Sequence, residues 1–254
     1  MIGLFDSGIG GLTVLKSLQK AIPGQTYAYL GDTARLPYGT KSSDTILRYT
    51  QQNIAFLKSR GVKIIVSACH SASSAILQYN ISAPVPLYNV IEPACEEAMA
   101  ATQNKKIALL ATQATVDAGQ YQKLIASPYQ LFSKACPLLV PLVESGWLDD
   151  KITDQIIERY VKDLLEKDVD VMILGCTHFP LLKEAIQKVV GPKVKLIDPG
   201  DCLAQLIMAE MSLEKKPTGK GHLDIFLTDK SPHFIKTAQS ILPDQNLVLS
   251  QVDL

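Results

Sequence analysis

The sequence predicts an α/β protein of two pseudo-symmetric units that face each other across a central cleft. Three observations predict it. Val62-Lys63-Ile64-Ile65-Val66-Ser67-Ala68-Cys69-His70-Ser71 is a largely β-branched apolar run that ends in a thiol on a small-polar turn. Val169-Asp170-Val171-Met172-Ile173-Leu174-Gly175-Cys176-Thr177-His178 repeats it without a gap, at an offset of 107. Ile107-Ala108-Leu109-Leu110-Ala111-Thr112 mirrors Ile2-Gly3-Leu4-Phe5-Asp6-Ser7 at an offset of 105. Apolar runs bounded by turn signals read as strands buried on both faces. Self-similarity at a near-constant offset reads as a duplicated unit.

The first unit opens with the strand Ile2–Phe5, then Asp6-Ser7-Gly8-Ile9-Gly10-Gly11. Leu12, Val14, Leu15 and Leu18 follow at helical spacing, and Pro23-Gly24 stops the helix. Strand, glycine turn and helix invite a nucleotide-binding reading, which the residues refuse. Thr13 stands where the third glycine of G-x-G-x-x-G belongs, no P-loop Lys-Ser/Thr follows, and Asp6 repels phosphate. The turn is expected instead to bring Asp6, Ser7 and backbone N–H groups to a small polar ligand. Tyr27–Leu30 is a second strand, running into a long loop at 31–40 of the kind that carries function. Ser42 or Ser43 caps a helix with Ile46, Tyr49, Ile54 and Leu57 on one face and Gly61 past its end. The Cys69 strand comes next, then a tightly packed helix start at 71–75. Pro84–Val90 reads as a short edge strand, since prolines fit there.

The pattern restarts after Glu92-Pro93. The strand at 107–112, a weak strand near 129–132, a loop at 136–146, a helix at 150–167 and the strand to Cys176 follow, and Val194–Pro199 copies 85–90. A polar linker is expected at 214–221. Beyond it, strand 223–227, helix 234–241 and strand 247–252 have no copy and are expected to return to the first unit. The domains expected are 1–93 with 210–254, and 94–209.

The chain has 254 residues, 47% hydrophobic and 20% charged, with 25 basic and 25 acidic side chains. Zero net charge argues against a broad nucleic-acid or anionic-membrane footprint. No apolar run approaches the roughly 18 residues of a membrane span, and the first residues lack a secretory signal's basic region. The five cysteines are odd in number and scattered. They form neither a disulfide framework nor a zinc ribbon, and a reducing cytoplasm is the expected compartment. No metal site is expected from Cys176 and His178, which have no further ligands at suitable spacing. Cys95, Cys136 and Cys202 lack repeat partners and read as packing residues.

Ligands of open α/β sheets sit beyond the carboxyl ends of the strands. Both repeat-equivalent cysteines lie there, and a pseudo-twofold axis would set them on opposite sides of one cleft. Two opposed acid/base groups suit racemisation or epimerisation, in which one face of a stereocentre loses a proton and the other gains one. Both thiols precede predicted helix starts, whose N-termini lower a thiol pKa. Asp6 and His178 are placed to set their protonation.

Asp6-Ser7-Gly8-Ile9-Gly10-Gly11-Leu12-Thr13-Val14, Gly31-Asp32-Thr33-Ala34-Arg35, Pro37-Tyr38-Gly39-Thr40, Leu174-Gly175-Cys176-Thr177-His178-Phe179-Pro180-Leu181-Leu182 and the terminal Val252-Asp253-Leu254 resemble glutamate racemase along the whole chain. The resemblance implies cofactor-independent interconversion of L- and D-glutamate between two α/β domains, supplying D-glutamate for bacterial peptidoglycan, commonly as a homodimer. It implies that Cys69 and Cys176 are the proton donor/acceptors, that Asp6 assists Cys69, and that Glu144 with His178 assists Cys176. It further implies that Asp6, Ser7, Pro37, Tyr38, Gly39, His70, Ser71, Thr112, Thr115, Thr177 and His178 hold the substrate. One departure stands out. The family usually reads Cys-Asn-Thr-Ala-Ser where this chain has Cys69-His70-Ser71-Ala72-Ser73. His70 replaces an amide with an imidazole, and a protonated ring there would favour the Cys69 thiolate. Retained activity with altered affinity or pH profile is expected. The chain begins directly before the first strand, so activation through the N-terminal extension of some proteobacterial relatives is not expected. The competing readings are an aspartate racemase, a one-thiol decarboxylase, and a non-catalytic small-ligand binder. The decarboxylase should lack one cysteine and the binder needs neither.

Overall fold

The computed structural model describes residues 1–211, 221–243, 245 and 247–254. Apart from Gly221, the linker expected at 214–221 falls outside the described residues.

The first unit runs β1 (Ile2–Asp6), α1 (Leu12–Ala21), β2 (Tyr27–Gly31), two 3-10 turns (Thr33–Arg35 and Tyr38–Thr40), α2 (Ser43–Ser59), β3 (Ile64–Ser67), α3 (His70–Tyr79) and β4 (Leu87–Asn89). α4 (Ile91–Ala101) leads to the second: β5 (Lys106–Ala111), α5 (Gln113–Ala118), α6 (Gln120–Leu124), β6 (Gln130–Ala135), α7 (Leu139–Glu144), α8 (Lys151–Leu165), β7 (Val171–Gly175), a 3-10 turn (Phe179–Leu182), α9 (Lys183–Val190) and β8 (Lys195–Ile197). α10 (Pro199–Met211), β9 (Leu223–Leu227), α11 (Pro232–Ile241) and β10 (Val248–Gln251) close the chain.

The duplication read from sequence is carried in the strand register. One sheet has the order β10-β9-β2-β1-β3-β4 and the other β6-β5-β7-β8. The segment β2-β1-β3-β4 is therefore copied as β6-β5-β7-β8. Ile2 pairs with Ile64, and their repeat equivalents Ile107 and Val171 also pair. Ile65 pairs with Leu87 as Met172 pairs with Leu196. All these ladders are parallel, so helices must cover both faces of each sheet. The tail docks as expected, β9 beside β2 and β10 beside β9, and β4 is an edge strand.

Successive side chains of a strand enter opposite cores. Ile2 and Leu4 pack with Leu12, Leu15, Leu203 and Ile207, while Phe5 packs with Ile46, Ile54 and Leu57. In the second sheet Met172 and Leu174 join Ile157 and Val161, and Val171 and Ile173 join Ala94 and Tyr121. α10 serves both units, since Leu203, Ala204 and Ile207 enter one core while Cys202 packs against the other. Cys95 and Cys136 are buried packing residues, as expected.

Two expectations need correction. The loop at 136–146 contains the helix α7. Its two prolines hide it, but Pro141 stands in the first turn, where a missing N–H costs nothing. Cys176 is followed by Thr177, His178 and a 3-10 turn, and the α-helix begins only at Lys183. Cys69 alone is an immediate α-helix N-cap residue.

Candidate active site

In each sheet the chain leaves the central strand, β1 or β5, in opposite directions to build the two sides. The crevice between β1 and β3, and that between β5 and β7, are therefore topological switch points. Asp6 ends β1 and Cys69 follows β3; Thr112 follows β5 and Cys176 follows β7. The two crevices are joined by contacts between the units. Thr177 Oγ1 donates to Asp6 Oδ1 at 3.3 Å, and Thr13 Oγ1 donates to the Thr177 carbonyl at 3.1 Å. Ser71 Oγ lies 3.2 Å from Thr112 Oγ1, which lies 3.0 Å from Thr115 Oγ1. A Cβ on Gly10 would stand 2.4 Å from Thr177 Oγ1 and 2.7 Å from His178 Nδ1, and one on Gly39 would stand 2.8 Å from Thr112 Cβ. Glycine at both positions lets the units close on each other.

The thiols sit in unlike surroundings. Cys69 is buried and donates to Ser7 Oγ at 3.8 Å. Burial first, and the Asp6 charge second, push its thiol up to about 12, against the opposing Ala72 N–H. Desolvation thus overrides the helix N-terminus that was expected to lower it. Cys176 is also buried, with its sulfur 3.8 Å from His178 Nδ1. His178 Nε2 lies 3.3 Å from Glu144 Oε1. Burial pulls the His178 pKa down, but contact with Cys176 and Glu144 outweighs it and raises the value to about 10. The place of His178 between a sulfur and a carboxylate therefore favours the protonated ring.

Two parts of the expected site also carry structural contacts of their own. Asp6 Oδ2 accepts from the N–H groups of Gly8 and Gly11, both at 3.0 Å. Those amides serve the carboxylate and are not offered to a ligand. A Cβ on Gly11 would come within 2.4 Å of Asp6 Cβ, so glycine is needed where the turn folds over it. The Tyr38 phenol is buried, donates to Asp32 and accepts from Asn53 Nδ2 at 3.0 Å. The turn at Pro37, Tyr38 and Gly39 packs against Thr112. Asp32, itself fully buried, also binds Arg35 and Thr228, an anchoring role for the 31–35 loop that no sequence signal announced. Thr13 and Gly10 were likewise missed as interface residues, although the glycine turn that carries them was noted.

His70 is 3% exposed, and burial lowers its pKa to about 3. The cation considered beside Cys69 does not form near neutrality. This has a stability consequence. Below pH 6.5 the unfolded chain takes up a proton that the folded imidazole refuses until about pH 3. Stability therefore falls as pH drops through that window, by about 1.4 kcal/mol per unit. Urea unfolding should show His70→Asn losing less stability than the parent between pH 7 and pH 5, by about 2 kcal/mol. Equal losses in the two proteins would refute the buried neutral assignment.

A model of the family described as Asp/Glu/Hydantoin racemase matches residues 6–207. The glutamate racemase of Aquifex pyrophilus is 46% identical over 236 residues, covering 91% of this chain and 90% of its own. A solved glutamate racemase isoform of Bacillus anthracis superposes with a TM-score of 0.94 at 30% identity, over 100% of this chain and 97% of its own. That of Francisella tularensis, solved in complex with D-glutamate, gives a TM-score of 0.90 at 31% identity, over 99% and 97%.

Proposed function

The chain belongs to the Asp/Glu/hydantoin racemase family, and we propose that it interconverts L- and D-glutamate by a two-base reaction between Cys69 and Cys176. The observation that carries this is the placement of two buried thiols at equivalent switch points of a duplicated fold, joined through Asp6 and Thr177. Near-full-length similarity to glutamate racemases supports the substrate. D-glutamate for bacterial peptidoglycan is the product's destination, and the all-thiol cysteine complement supports a reducing, cytoplasmic setting.

The reaction moves one proton off Cα and another onto its opposite face. One sulfur takes the departing proton while the Cα electron pair delocalises into the adjoining carboxylate; the other thiol then protonates Cα from behind. Cys69 rests as the thiol, which suits the donor's part. The His178 cation stabilises negative charge on the Cys176 sulfur, and Glu144 holds that cation in place. The substrate's carboxylates and ammonium are held by Asp6, Ser7, the turn at Pro37, Tyr38 and Gly39, His70, Ser71, Thr112, Thr115, Thr177 and His178. Most of these side chains carry hydroxyls, which can donate or accept as the substrate requires.

Incubating L-glutamate with the protein in D₂O tests the reading. Optical rotation should decay to zero while deuterium replaces the Cα proton. Glutamate that keeps both its rotation and its Cα proton would sink it, and exchange confined to aspartate would favour the aspartate reading.

We also propose that the chain works as a homodimer. Leu138, Trp147, Leu148 and Ile152, all exposed and close in sequence around α7 and the start of α8, support an apolar contact of the kind dimers bury. A monomer in sedimentation at micromolar concentration would refute it.

A further inference from the structure

Four buried polar atoms without a hydrogen-bond partner belong to three neighbouring side chains. They are Nδ1 and Nε2 of His70, Oγ of Ser74 and the phenol oxygen of Tyr121. All three residues are buried. His70 and Ser74 are one turn apart on α3 and share a face. The His70 and Tyr121 rings are nearly parallel, at 12°, with centroids 6.4 Å apart. At that separation the ring pairing does not replace hydrogen bonds. Leaving such atoms dry is unfavourable, and folded proteins meet that cost with an internal water when two to four polar groups converge on it.

The location matters as much as the chemistry. His70 directly follows Cys69, and Tyr121 stands within the electrostatic reach of Cys176, Cys95 and Cys202. The cluster joins α3 of the first unit to α6 of the second. We propose that His70, Ser74 and Tyr121 hold one internal water, and that this water fixes His70 in a single neutral tautomer. Ser74 and Tyr121 are then positioning residues that act through His70. A neutral imidazole has one donating and one accepting nitrogen, and a partner on one nitrogen decides the role of the other. With the water on one side, the opposite nitrogen meets the substrate with a defined role, in place of the family's amide. Among the described residues the Tyr121 ring faces the imidazole and Cys69 precedes it in the chain, and both of these groups rest neutral. This inference deepens the two-thiol reading and rests on it for the substrate contact alone.

Nitrogen-15 NMR of the full chain with labelled histidine tests it without turnover. His70 should show one protonated and one bare ring nitrogen, unchanged from about pH 8 to pH 5, a window in which a free histidine titrates. Tyr121→Phe and Ser74→Ala each remove one polar atom and little volume. Each should convert His70 to a mixture of tautomers and raise the KM for glutamate about tenfold, the effect of one lost hydrogen bond, with kcat changed less than about threefold. If Tyr121→Phe fails to fold, Ser74→Ala carries the same readouts. A tautomer mixture in the parent protein, or a single tautomer untouched by the substitutions, overturns the proposal. A KM unmoved in the folded variants overturns it as well. The NMR outcome stands whether or not the chain racemises glutamate, so the two readings fail separately.

Discussion

Cys69→Ser and Cys176→Ser are each expected to abolish racemisation, with turnover falling by at least about 10²–10⁴-fold, the contribution of a positioned acid or base. An alcohol is a far weaker acid than a thiol and cannot carry the charge that either sulfur must carry in one direction of the reaction. The substitutions add no bulk, and each new hydroxyl keeps a partner, Ser7 in one case and His178 in the other. Melting temperatures should therefore stay close to that of the parent. Because the two groups act as a unit, the double variant should be little worse than either single one.

A sharper consequence follows from the geometry. With one thiol gone, the other still meets one face of Cα. It can remove a proton from one enantiomer and return a solvent deuteron to the same face, giving exchange without inversion. Cys69→Ser and Cys176→Ser should then exchange opposite enantiomers in D₂O, read by mass and by chiral chromatography. A single variant with near-parental racemisation refutes the two-base scheme. So does exchange of the same enantiomer by both.

The thiol pair was legible because duplication is a one-dimensional signal. Ile2 and Ile64 sit in the same register as their copies Ile107 and Val171, so alignment of the chain on itself already aligned the two switch points. The tail's return was legible for a related reason: an α/β unit with no copy must bury its strands on an existing edge. What escaped were contacts set by burial. The bond from the Tyr38 phenol to the buried Asp32 carboxylate is one of them, since only burial makes that donor necessary. The charge of His70 depends on desolvation, which leaves no periodic trace in sequence. α7 falls in a segment read as a loop, and Pro141 stands in its first turn, where proline is tolerated. The glycine turn misled in part because its amides are turned inward. The same Asp6 that argued against phosphate occupies the N–H groups that would have bound it.

Asp6 is where the fold and the chemistry meet, and its two substitutions should separate them. Asp6→Ala removes the acceptor for Gly8 N–H, Gly11 N–H and Thr177 Oγ1 in a fully buried site. At about 1–3 kcal/mol for each group left dry, the loss should reach about 3–6 kcal/mol, or roughly 10 °C or more in Tm for a chain of this size. Asp6→Asn keeps an oxygen for the two amides, and its Nδ2 can donate to Thr177 Oγ1 where the carboxylate accepted from it, so it should fold with a Tm within a few degrees of the parent. Its effect should appear in the pH–rate profile. The Asp6 carboxylate raises the pKa of both the Cys69 thiol and the His178 imidazolium. Removing a negative charge eases ionisation of the thiol and weakens the hold on the imidazolium proton, so both values fall. The limbs of the kcat/KM profile that report these groups should move to lower pH together. Limbs that stay fixed in a folded Asp6→Asn protein, or move apart, would show that Asp6 serves only to hold the turn.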